Sequence, residues 1–255
     1  MGETPDRYVV SALARGLAAL QAFGPGRDRM TLGELAAATG VTKSAVFRTA
    51  HTLTQLGFLL HDPRSRTYAL GPAVLRLATG ALAAREVLQA ALPVLDRLRD
   101  ETGWSAHLGV LDGREVVYLL RAPAAPREGI VHVGSRLPAH ATAMGRVLLA
   151  GLPDQELAKR YRDATLPRIG PRTPTTLAML LAQARRDRGA RQVGHLGDFE
   201  AGIASIAAPI REGGAVVAAI NVTVPLAEAR EVARATATRA LLEAADAISA
   251  ALAGP

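Results

Sequence analysis

The 255-residue chain carries 30 lysines and arginines against 23 acidic residues, a formal charge of +7, and no cysteine. Such a length accommodates one large or two ordinary domains with a buried core. The missing thiols exclude cysteine zinc sites, disulfide frameworks and thiol redox sensing, and fit a reducing cytoplasm. Net positive charge suits a polyanionic partner, although it bears on association more than on fold.

The opening MGETPDRYVV has no basic segment followed by an apolar one, so it does not read as a signal peptide. No apolar run approaches the roughly 18 residues of a membrane span. A cytoplasmic protein with no membrane partner is expected.

Residues 1–10 read as an arm. Ser11 is placed to cap a helix through about Phe23, with Leu13, Leu17 and Leu20 on one buried face and Arg15 pointing away. Gly24-Pro25-Gly26 ends it. Thr31 and Glu34 form a capping-box pattern for a second helix, and Gly40 suits the left-handed residue that closes it. Thr42 caps a third helix with Val46, Ala50, Leu53 and Leu56 as its buried stripe. Two helices around a glycine turn, the second with a polar, basic N-terminal face, match the helix-turn-helix that enters the major groove. Thr42, Lys43 and Ser44 lie where helix amides favour phosphate. Phe47 lies on the exposed side, and Arg48 is suited to a bidentate contact with guanine.

Residues 58–61 and 67–70 then read as a two-stranded wing, with Arg64 and Arg66 at its tip for phosphate or a narrow minor groove. Between Val41 and Leu70 the charged residues are Lys43, Arg48, Arg64 and Arg66 against Asp62 alone, so the basic excess concentrates where a duplex would sit.

Gly71-Pro72 opens a long apolar helix over 72–92, bent or broken at Pro93, with a further helix to Thr102-Gly103. From Trp104 the period changes. SAHLGVL and EVVYLLRA are strands joined at Asp112-Gly113, and 129–133 reads as a third strand. Residues 134–138 read as a turn, and helices are expected over 143–150, 153–162 and 177–188. SIAAPIR and AVVAAINVTV form a second hairpin at Gly213-Gly214, and 226–252 closes as a helix. The expected architecture is a two-domain α/β protein: a winged helix-turn-helix domain (1–71), a linker helix (72–92) and an α+β effector-binding domain on an antiparallel sheet (93–255).

The start of the 143–150 helix offers free amides at Ala143 and Met144, a ready anion site. Ser205, Asn221 and Thr223 place neutral polar groups on otherwise apolar strands, Asn221 and Thr223 on one face. No nucleophile elbow, HExxH or phosphate loop occurs, so neither catalysis nor a cofactor is expected. His132, His140, His195 and Asp198 could converge on a metal, which leaves a metal-sensing regulator as the alternative.

RGLAAL from Arg15, the LGELAAATGVTKSAVFRTAHTLTQLGFL stretch, YALGP, GSRLPAHATAMGRVLLA, DFEAGIASIAAPI and AINVTVP together resemble the IclR family of bacterial transcriptional regulators from Arg15 to Pro225. The resemblance implies a GAF-like effector domain, a linker helix that helps pair subunits, and a palindromic operator bound by a homodimer or homotetramer. It makes the protein a regulator, with a repressor of a catabolic operon as the reading adopted. It also implies that the amides of Ala143 and Met144 hold an effector carboxylate over a polar floor of Ser205, Asn221 and Thr223, with His195 and Asp198 nearby. Ala50 departs from the family's larger aliphatic residue, which implies looser packing against the first helix. His195 stands near an acidic position and Ser205 where cysteine is frequent, departures that argue against glyoxylate- or pyruvate-like ligands. GSRLP and SIAAPI are closer to the branch that senses aromatic acids.

Overall fold

The computed structural model describes residues 8–24, 26–77, 86–124, 131–196, 199, 202–229 and 231–254, and for 195, 196 and 231–233 the backbone only. Two compact units emerge, 1–84 and 85–255.

In the first unit, α1 (Ser11–Gln21) is followed by β1 (Met30–Thr31), α2 (Leu32–Thr39), α3 (Lys43–Gln55), β2 (Leu59–Asp62) and β3 (Thr67–Leu70). The capping box is present. Thr31 N donates to Glu34 Oε2 at 2.7 Å, and Glu34 N donates back to Thr31 Oγ1 at 3.3 Å. Gly40, at φ 68°, closes α2 in the left-handed conformation that a glycine adopts without a Cβ clash. Thr42 caps α3 by accepting from Ala45 N. Met30, Leu35, Val46, Ala50, Leu59 and Tyr68 form the core.

Three expectations for this unit are corrected. Ser11 is the first helical residue rather than the cap; Val10 occupies the cap position and has no side chain able to fill it. The leucine stripe of α1 is buried in part: Leu20 packs against the core, whereas Leu13 and Leu17 are 62% and 50% exposed, and Leu56, just past α3, is 57% exposed. Small residues are the fully buried ones on these two helices, Ala19 on α1 and Ala50 on α3 beside Val46. The wing has three strands, because Met30 pairs with Tyr68 and Thr31 with Thr67, in the order β1-β3-β2. A two-residue strand was too short to show a period.

The second unit begins with α4 (Glu86–Thr102), which continues unbroken through Pro93. Proline removes one helical hydrogen bond. Leu88, Ala91, Leu95 and Leu98 are all buried on one face of this helix, and the burial outweighs that loss at roughly 1.5–3 kcal/mol per leucine. The expected break at Pro93 is therefore absent. Of the expected 72–92 helix, residues 73–77 are helical, and 78–85 lie outside the described residues.

There follow β4 (Ser105–Asp112), β5 (Glu115–Ala122), β6 (Arg136–Pro138), a 3₁₀ turn (Ala139–Ala141), α5 (Ala143–Ala150), α6 (Asp154–Tyr161), α7 (Leu177–Asp187), β7 (Val193–Leu196), β8 (Ile203–Glu212), β9 (Ala215–Pro225) and α8 (Glu231–Leu252). The strands form a six-stranded antiparallel sheet in the order β6-β5-β4-β9-β8-β7.

Strand alternation splits the apolar side chains between the two faces. Leu108, Ile206, Ile220 and Val222 meet α4 and α8, whereas Val116, Tyr118, Ala207 and Ala219 meet α5, α6 and α7. Residues 136–138, read as a turn, are the edge strand β6. Arg136 clasps Asp112 at 2.8 Å and Glu115 at 2.6 Å on the neighbouring hairpin, which holds the segment in register. The strand expected at 129–133 is not there: 131–133 is irregular, and 129 and 130 lie outside the described residues. Strand β7, four residues containing a glycine, was not anticipated.

Candidate functional site

On the first unit, Lys43, Ser44, Phe47 and Arg48 are all exposed on α3. The buried pair Val46 and Ala50 fixes the rotation of the helix. Ser44, Arg48 and His51, spaced four and three residues apart, therefore share its outward face. Thr42 Oγ1 and Ser44 Oγ sit 3.2 Å apart at the helix start. Phe47 stacks on His51 with ring centroids 6.4 Å apart. Arg15 and Arg48 both line the groove between α1 and α3.

At the wing tip, Asp62 ties the turn together. Its carboxylate accepts from Arg64 N at 2.9 Å and Ser65 Oγ at 2.8 Å, and the Ser65 bond, followed by the Arg64 amide, holds its pKa below the ordinary value. Arg66 takes φ 54°, the one non-glycine described residue with positive φ. This turn leaves the side chains of Arg64 and Arg66 exposed. The arrangement can lay basic groups on phosphates on either side of a helix that reads bases.

On the second unit, the register aligns the expected polar residues in two rows on the face beneath α5. Arg121, His107, Asn221 and Ala207 form one row, and Ser105, Thr223, Ser205 and His195 the next. Asn221 is buried and donates from Nδ2 to Ser205 Oγ at 2.9 Å. Its Oδ1 must then accept, so His107 Nδ1, 3.0 Å away, carries the proton. The edge of the Tyr118 ring abuts His107 at 5.6 Å. Burial, opposed by the Asn221 bond and assisted by the charge of Arg121, pushes His107 down to about 4, and the ring is neutral. Burial likewise raises the Tyr118 phenol above its usual range.

Ala143 and Met144 are buried at the start of α5, where Thr142 Oγ1 accepts from Gly145 N at 3.1 Å. The amides of Ala143 and Met144 have no intrahelical acceptor. A Cβ placed on Gly109 would lie 3.2 Å from Met144 Cε, which sets the helix start against β4 two residues from His107. The structure thus brings Ala143, Met144, Ser205, Asn221 and Thr223 to one face, with the backbone of His195 at its edge. Asp198 lies outside the described residues.

Sequence reasoning passed over His107, Tyr118 and Arg121. A histidine inside the apolar run AHLGVL and an arginine inside VVYLLRA were the signals. Pairing those two strands places His107 opposite Arg121. His140 is a buried histidine that donates from Nε2 to Pro167 O at 3.1 Å. Among the described residues no three histidine or acidic side chains gather as metal ligands, so the metal-sensing alternative gains no geometric support. Nor is any described helix long and apolar enough to cross a membrane.

A DNA-reading head and a separate sheet domain with a polar inner face define the class of a DNA-binding regulator with a sensor domain. Family models agree. The IclR helix-turn-helix domain matches residues 12–63, and the bacterial transcriptional regulator IclR C-terminal domain matches 79–250. The chain belongs to the IclR family of bacterial transcriptional regulators. It is 36% identical over 226 residues to the Pca regulon regulatory protein of Pseudomonas putida, covering 86% of this chain and 76% of that one. It is 31% identical over 219 residues to the p-hydroxybenzoate hydroxylase transcriptional activator of Acinetobacter baylyi, covering 83% and 80%. A crystal structure of an IclR homologue from Microbacterium hydrocarbonoxydans complexed with 4-hydroxybenzoate superposes with a TM-score of 0.82 at 29% identity, covering 96% of this chain and all of that one.

Proposed function

We propose that this regulator binds a palindromic operator as a dimer or dimer of dimers, and that a small organic carboxylate, an aromatic acid in preference, controls it from the face beneath α5. The observation that carries the sensing part is that Ser205, Asn221 and Thr223 share the sheet face against which α5 packs, with Ala143 and Met144 buried at the start of that helix. A carboxylate at those amides meets two N–H donors and the positive end of the helix. The preference for an aromatic acid draws support from the 4-hydroxybenzoate in the complex of the Microbacterium homologue and from the name of the Acinetobacter relative.

The operator is read by Arg48 on α3, with Thr42, Lys43, Ser44 and Phe47 around it and Arg15, Arg64 and Arg66 on phosphates. Self-association draws support from an apolar groove of about 590 Å³ lined by Leu13, Leu17, Leu20, Leu53, Leu56 and Leu77. Exposed leucines concentrated in one groove mark an association surface. We read the regulator as a repressor of a catabolic operon, released from its operator when the acid binds.

The test combines footprinting of the chain's own upstream region with a thermal-shift screen of aromatic and aliphatic acids. A protected palindrome is expected, weakened roughly tenfold or more by Arg48→Ala. The effector should raise the melting temperature by mass action, and Asn221→Ala should reduce that rise. Operator affinity unchanged in Arg48→Ala would refute the recognition-helix assignment. An acid that tightens rather than releases operator binding would reverse the sign of control.

A further inference from the structure

Phe47, in the N-terminal half of α3, is a large apolar side chain left 53% exposed. It takes no part in the core of its unit, which is built on Met30, Leu35, Val46, Ala50, Leu59 and Tyr68. It also lies outside the leucine groove, whose α3 wall includes Ala45, Thr49, Thr52 and Leu53. We propose that Phe47, steadied by the ring of His51, reads the 5-methyl group of a thymine in each half of the operator. This rests on the reading of α3 as the recognition helix.

Val46 and Ala50 are buried and set the rotation of α3. Phe47 and His51 each follow one of them by a residue, so they stand one above the other on a flank of the exposed face. Their rings stack with centroids 6.4 Å apart and planes inclined by 26°. A ring restrained in this way loses less rotamer freedom when a partner covers it. Lys43 and Arg48 on the helix and Arg64 and Arg66 on the wing are exposed cations that complement phosphates. With the backbone held by such contacts, the N-terminal half of a recognition helix reaches base edges.

In the major groove guanine, cytosine and adenine present hydrogen-bond donors and acceptors, whereas thymine adds a methyl group. An apolar ring carried into that groove finds one apolar feature to cover. Over any other base it strips water from polar edges and returns no bond. Arg48 follows Phe47 directly in the chain, so the thymine should fall within about two base steps of the guanine that Arg48 contacts, at about 3.4 Å per step.

Fluorescence anisotropy at fixed salt compares the full chain on its footprinted operator with operators in which single thymines are replaced by deoxyuridine. That replacement removes the methyl group and leaves every hydrogen-bonding atom. One thymine in each half-site is expected to matter, its replacement weakening wild-type binding about fourfold, the effect of one buried methyl group. Phe47→Ala should bind the thymine and uracil operators alike, while substitution of the guanine read by Arg48 still weakens it. Phe47→Gln keeps the bulk without the apolar surface and should be equally blind to the methyl. His51→Ala should lower the fourfold ratio, and His51→Tyr, which offers another ring to stack on, should preserve it. Wild type indifferent to every methyl group overturns the proposal, as does the same ratio retained in Phe47→Ala and Phe47→Gln. In either case a loss of binding in Arg48→Ala leaves the recognition helix standing. An unchanged ratio in His51→Ala overturns the positioning role of His51. If neither Arg48→Ala nor Phe47→Ala alters operator binding, the recognition-helix reading fails and this one with it.

Discussion

Acid should destabilise the second unit through His107. An ordinary histidine takes up its proton near 6.5, whereas the buried ring holds out to about 4. Between those values the unfolded chain binds the proton and the folded one does not. The stability is therefore present above pH 6.5 and drains away as the pH falls towards 4. At about 1.4 kcal/mol per pH unit the loss between pH 7 and pH 4 comes to roughly 3 kcal/mol, a large part of a domain's total. The groups facing His107 are Asn221, which accepts from it, the neutral Tyr118 and the cationic Arg121, whose charge pushes in the same direction as burial.

The chain has a single tryptophan, Trp104, buried beside β4, so its fluorescence reports the second unit alone. Urea titrations of wild type and His107→Gln at several pH values separate this residue from the carboxylates that titrate in both. The variant's glutamine amide donates to Asn221 without binding a proton. The difference in unfolding free energy between the two proteins should swing by roughly 3 kcal/mol over pH 7 to 4, wild type losing more. A difference that stays flat within about 0.5 kcal/mol across that range would show that the ring is not held neutral by burial.

Gly145→Ala should cost about 3 kcal/mol or more in the same assay, because the new Cβ would lie 2.0 Å from the carbonyl oxygen of Ala139 and the backbone must move. Gly194→Ala, with nothing within 4 Å of the new Cβ and no positive φ, should stay within about 0.5 kcal/mol and serves as its control. Thr31→Ala removes the acceptor for Glu34 N and should lower the protection of the α2 amides in hydrogen exchange by about 1 kcal/mol. Arg64→Ala and Arg66→Ala should each reduce the slope of log affinity against log salt by about 1 in operator binding without changing sequence preference, as phosphate contacts do. Leu17→Glu should shift the chain towards monomer in sedimentation velocity if the leucine groove is an association surface.

What the sequence showed depended on the range of the interaction. Caps and turns are local, so Thr31 with Glu34, Thr42 and Gly40 were legible from spacing alone. Strand alternation was legible too, and it put Asn221 and Thr223 on one face. The exposure of Leu13, Leu17 and Leu56 was not, because an apolar stripe says that something covers it without saying whether the same chain does. Pro93 misled because the cost of a proline is local, while the burial that offsets it comes from tertiary neighbours, β4, β5 and above all α8, which lies more than a hundred residues away. The pairing of Arg121 with His107 was invisible for a related reason. Each is an isolated polar residue in an apolar strand, and the register that sets them opposite each other appears once the hairpin is paired.

The same contacts bear on how the sensing face responds. Helix α5 is fixed at both ends by approaches that no side chain would permit. Gly145 lies against the backbone of Ala139, and at Gly151 a Cβ would lie 2.7 Å from Val216 Cβ on β9. Between them, Arg146 holds Asp187 of α7 through two bonds of 2.7 and 2.8 Å. Interiors packed this closely transmit displacement rather than absorb it. On the proposed reading, the amides of Ala143 and Met144 would meet a carboxylate already in place, with little binding energy spent on ordering the helix. A ligand can shift an equilibrium only by its different affinity for two states. With α5 anchored to the sheet and to α7, that difference has to arise from groups free to change partners. On this face the Ser205 hydroxyl, which accepts from Asn221 and keeps its own proton to donate, is such a group, with the helix as its fixed reference.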